Sequence, residues 1–119
     1  QHGRLFHTNH ILINPDSSEF AEQITAKPNS SVPRLNSIIH RLGDPSRTVT
    51  LDDTKAALAA HDDPDNPVSR VINAQNTSSS IGYTAGSSIY EFSPLPRLHL
   101  AAGPPCETAF EVFEFNANI

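Results

Sequence analysis

Ten prolines are spread over a chain of 119 residues, and they bound what it can fold into. A proline fixes its own φ, offers no amide proton and pushes the preceding residue out of helical conformation. A chain interrupted this often builds short elements joined by turns, not a helical bundle. Asn14-Pro15-Asp16 breaks an apolar run, and His61-Asp62-Asp63-Pro64-Asp65-Asn66-Pro67 ends an alanine-rich stretch. Ser93-Pro94-Leu95-Pro96 reads as a turn, and Gly103-Pro104-Pro105 stops the segment that follows it.

Between these breaks the periodicity changes along the chain. Leu5-Phe6 and Ile11-Leu12-Ile13 frame a polar tetrapeptide in what reads as a strand or extended segment. Residues 14–31 read as loop, with one helical turn near Glu19–Ile24. Pro33 suits a first helical turn, Leu35, Ile38, Ile39 and Leu42 fall at i, i+3, i+4 and i+7, and Gly43 sits where a left-handed cap is wanted. A second helix opens at Thr50, with Asp53 completing a variant capping box, and runs through the Lys55–Ala60 stretch. Residues 72–82 read as a mobile loop. Ser87–Phe92 and Arg97–Ala101 read as a β hairpin, and Phe110–Phe115 as a last strand. The order is a strand, two helices, a hairpin and a final strand: an α+β segment.

Composition narrows the partners. Eight basic residues against thirteen acidic ones give a formal charge of -5, which is no footing for nucleic acid. No run approaches the roughly 18 apolar residues needed to span a bilayer. The single cysteine, Cys106, precludes an internal disulfide and a multi-cysteine zinc site, and favours a reducing, intracellular compartment.

The tetrapeptide His7-Thr8-Asn9-His10 admits two chemical readings. As metal ligands, His7 and His10 would have to converge, but in a strand they point to opposite faces. Its other reading is a pair of partly buried histidines bonding to local backbone. His61-Asp62-Asp63-Pro64-Asp65 offers clustered carboxylates to a hard cation, although a solvated helix end reads more simply.

Gly3-Arg4-Leu5-Phe6-His7-Thr8-Asn9-His10 resembles a core segment of the acyl-coenzyme A:6-aminopenicillanic-acid acyltransferase family, cysteine-nucleophile members of the N-terminal-nucleophile (Ntn) hydrolases. The resemblance continues in order through Asp65-Asn66-Pro67-Val68-Ser69, Gly86–Phe92 and Gly103-Pro104-Pro105-Cys106. It is strong at residues 3–10 and 65–69 and diffuse elsewhere. It implies the C-terminal portion of an αββα sandwich, residues 1–119 forming one segment of a single domain that needs its own upstream region. Alone, such a segment would expose a sheet edge and an apolar face.

The resemblance also implies a chemistry: amide hydrolysis or acyl transfer through an acyl-enzyme on an N-terminal cysteine. Its substrates would be small-molecule amides or acyl compounds, with no cofactor beyond acyl-coenzyme A as a compatible acyl donor. Asn9 would donate to the oxyanion, with His7, Thr8 and His10 supporting it. Ser69 would lie near the substrate, and Arg70 would meet a substrate carboxylate, although members place their arginine a few residues later. The chain opens on Gln1, and Cys106 corresponds to a family cysteine outside the chemistry. The nucleophile is therefore expected upstream, and the segment alone is expected to be inactive. The rival readings are a non-catalytic binding or structural module that keeps the fold, and a histidine/aspartate metal protein.

Overall fold

The computed structural model describes residues 3–8, 30–72 and 82–115. They form a mixed α/β protein with two helices and a three-stranded antiparallel sheet. The chain divides into two units, Gln1–Val68 and Ser69–Ile119. Of the loops expected over 14–31 and 72–82, residues 14–29 and 73–81 lie outside the described residues.

The first unit holds both helices. Helix α1, Ser31–Leu42, buries Ser31, Leu35 and Ser37 and half-buries Ile38 and Leu42. Its inward stripe is therefore Ser31-Leu35-Ile38-Leu42, and Ile39, expected on that stripe, is 44 % exposed. Gly43 also departs from expectation. It is right-handed, with φ -83° and ψ -15°, and its amide continues the helical pattern by donating to Ile39 O at 2.7 Å. Glycine is needed here for space, because a Cβ would collide with the Ile39 carbonyl.

Helix α2, Leu51–Leu58, begins as its sequence dictates. Thr50 Oγ1 accepts the Asp53 amide, and the Asp53 carboxylate accepts the Thr50 amide, a reciprocal capping box. Ala57 and Ala60 are buried. Small side chains on this face let the backbone come close, and the Val68 amide donates back to Ala60 O at 3.0 Å.

The second unit is the sheet. Strands β1 (Ser87–Glu91), β2 (Arg97–Ala101) and β3 (Glu111–Glu114) pair in the order β1-β2-β3. The Ser93–Pro94 peptide in the β1–β2 turn is cis. Ile89 lies opposite His99, which lies opposite Val112; Tyr90 lies opposite Leu98, which lies opposite Phe113. Alternation then sorts the side chains. One face carries Ile89, Glu91, Arg97, His99 and Ala101, with His99 and Ala101 buried. The other carries Tyr90, Leu98, Leu100 and Phe113, continued by Phe92 and Phe115 just past the strand ends. Tyr90 and Phe113 are 59 % and 46 % exposed, Phe92 80 %. The Tyr90 and Phe92 rings stack on each other, centroids 6.4 Å apart. Glu91, Arg97 and His99 thus sit on the more buried face, and the aromatic side chains on the exposed one, beside Glu111.

Candidate functional site

Residues 4–8 join no sheet, so of the strand or extended segment expected there only the extended form remains. Side chains hold them instead. The Arg4 guanidinium donates to three carbonyls beyond the last turn of α1: Leu42 O at 2.7 Å, Asp44 O at 2.5 Å, and Arg47 O. At the other end, Thr8 Oγ1 donates to Ser31 O at 2.9 Å and lies 2.8 Å from Ser31 Oγ. The anchors flank a helix of twelve residues, about 18 Å of rise. Four residue steps reach roughly 14 Å at most, so with the Arg4 side chain making up the difference the segment lies nearly extended, antiparallel to α1. This placement relies on Arg4 and Thr8, while His7 is exposed. Asn9 and His10 lie outside the described residues.

Ser69 is fully buried and Arg70 half-buried. The Ser69 hydroxyl donates to Cys106 Sγ at 3.1 Å and accepts the Cys106 amide at 3.2 Å. Two of the resembling stretches, 65–69 and 103–106, therefore meet. That hydroxyl holds the Gly103–Cys106 turn, so its contribution here is to position that turn. Arg70 is held by its backbone: its amide donates to Thr84 Oγ1, and its carbonyl accepts the Thr84 amide, both at 3.0 Å.

Among the described residues, Arg70, Arg97 and His99 bury side-chain nitrogens that make no hydrogen bond. Two of the three face a carboxylate. Arg97 Nε lies 3.3 Å from Glu114, and His99 Nε2 lies 3.4 Å from Glu91. Among the described residues, Arg70 Nε and His99 Nδ1 have no such neighbour. A buried donor left unmet costs roughly 1–3 kcal/mol, which singles out Arg70 Nε as a charged donor open to an acceptor. Its neighbour in sequence, Ser69, gave the only signal for it.

The acidic run after α2 is occupied internally. Asp62 accepts Ser37 Oγ at 2.5 Å and a bidentate fork from Arg41 at 2.5 and 2.7 Å. These bonds hold its carboxyl well below the usual carboxylate range, with the Arg41 bond contributing most and Ser37 next. Asp63 accepts the amides of Asp65 and Asn66 and the Asn66 side chain, and the Asn66 bond leads in lowering its pKa. No three His, Cys, Asp or Glu side chains among the described residues gather as a metal site. No described helix is long and apolar enough to cross a membrane. Compared with known proteins, the chain matches no family model, no curated protein and no solved structure.

Proposed function

We propose that this chain is part of an Ntn-type amide hydrolase or acyltransferase, whose nucleophile lies outside these residues and whose substrate carries a carboxylate. The observation that carries the proposal is the buried Arg70 Nε without an acceptor. A substrate carboxylate supplies what it lacks, in the charge-assisted geometry arginine favours. Two further features support the reading. The segment leading to Asn9 is fixed at both ends against α1, as an oxyanion donor must be if it is to be preorganised. The exposed aromatic face of the sheet is the surface that one layer of an αββα sandwich offers to the other.

The test separates binding from chemistry in the complete protein. Arg70→Gln raises KM for carboxylate-bearing amides about 10- to 100-fold, leaves kcat nearly unchanged, and has no effect on uncharged amides. Asn9→Ala lowers kcat roughly 10²–10³-fold with the fold intact by circular dichroism. Equal KM values for both substrate classes in Arg70→Gln would remove the carboxylate contact. Unchanged kcat in Asn9→Ala would remove the oxyanion role.

A further inference from the structure

Between α1 and α2 lies a cleft of about 330 Å³ lined by His40, Arg41, Arg47, Asp53, Ala56 and Asp62. A second lobe of about 410 Å³ shares His40 and Asp62 with it and adds Asn36, Ser37 and Asp63. The formal charges of Arg41, Arg47, Asp53 and Asp62 cancel, so the unused hydrogen-bonding capacity decides what the cleft can hold.

On the acceptor side little is left. Asp62 takes three donors from Ser37 and Arg41. Asp53 takes the Thr50 amide, the Thr50 hydroxyl and one Arg47 N–H. Asp63 takes the three donors of Asp65 and Asn66. All three carboxyls are held below the usual range, Asp53 chiefly by the Thr50 amide, and Asp62 and Asp53 brace Arg41 and Arg47. On the donor side much is left. A guanidinium carries five N–H donors; Arg41 spends two on Asp62, and Arg47 one on Asp53. The remainder of both forks, with the His40 imidazole, borders the same space.

We propose that this cleft binds a small oxyanion, a phosphate or carboxylate group carried on a small molecule. The bidentate Asp62 brace fixes the Arg41 guanidinium plane in advance, and a single Asp53 bond tethers Arg47, so less side-chain entropy is lost when the anion arrives. The second lobe gives room for the neutral body of the ligand against Asn36 and Pro33. None of these residues takes part in the acyl chemistry proposed above, so the two ideas stand or fall separately.

The experiment is a titration of the ¹⁵N-labelled full-length protein with inorganic phosphate and, in a second arm, with acetate. Ionic strength is held constant with chloride, and the Arg41 and Arg47 Nε–H resonances are followed. A saturable shift with phosphate, acetate or both, absent with chloride, is expected, and the arm that saturates identifies the anionic group. Arg47→Gln raises the dissociation constant about tenfold and Arg47→Lys by less, because lysine keeps the charge but loses the fork. His40→Gln is the second variant should Arg47→Gln not fold. Saturation in neither arm, equal shifts in chloride, or a dissociation constant unmoved in folded variants would overturn the proposal.

Discussion

Asp62 joins two residues that the sequence gives no reason to pair. Ser37 and Arg41 lie 25 and 21 positions upstream on α1, and their three bonds tie the end of the α2 region to that helix. The pH consequence has a definite sign. Asp62 has a folded-state pKa depressed below its unfolded value, so the stability it contributes is present above the ordinary carboxylate pKa of about 3.9. It is lost as pH falls through the lower folded value. Asp62→Asn is therefore expected to destabilise the protein at pH 7, by about 1 kcal/mol once solvent screening is discounted. The variant should also show a shallower loss of stability in urea titrations run below pH 4. An identical acid limb in both proteins would show that the network contributes nothing. The acids were legible as a run; their partners were not, because hydrogen bonds across 21 to 25 residues follow from how α2 returns to α1. Ser69 and Cys106, 37 residues apart, were likewise noticed separately and joined only by the fold.

At the scale of elements, local chemistry was readable and tertiary choice was not. The Thr50–Asp53 box is written in four consecutive residues, and it forms. β2 occupies Arg97–Ala101 as its pattern indicates, bounded by Pro96 and the Gly103-Pro104-Pro105 break. Thr50→Ala is expected to cost about 1 kcal/mol in urea unfolding and to raise amide exchange in the first turn of α2. Exchange unchanged there would mean that packing of Ala57, not the cap, sets where the helix begins. Ile39 shows the opposite case. Its spacing fits the inward stripe as well as that of Ile38, but the helix rolls to bury Ser31 against Thr8, and Ile39 turns outward. The leading segment, read as a strand or extended, left that choice open for a related reason. Apolar residues around a polar tetrapeptide resemble a strand, yet over residues 4–8 the bonds come from side chains to α1.

For the whole molecule, the buried apolar set among the described residues is small: Leu35, Ala57, Ala60 and Ala101. The larger aromatic side chains of the sheet unit lie on its exposed face instead. An exposed apolar surface of this kind marks an interaction site or an association liability. The isolated 119-residue chain is expected to self-associate at micromolar concentration, and Tyr90→Lys with Phe113→Lys to restore a monodisperse species in sedimentation velocity. Monodisperse behaviour of the unmodified chain would contradict this. The oxyanion role proposed for Asn9 and the carboxylate contact proposed for Arg70 both came from the family resemblance. The cleft was invisible there, because it draws on α1, α2 and the turn between them.

Arg4 closes the far end of α1 from 38 residues upstream. Helix termini are ordinarily finished by groups within a residue or two of the end. During synthesis from the N-terminus, this arginine has emerged long before Leu42, Asp44 and Arg47. The carbonyls it serves meet a donor already waiting, and the terminus of α1 is completed by a segment made before the helix itself.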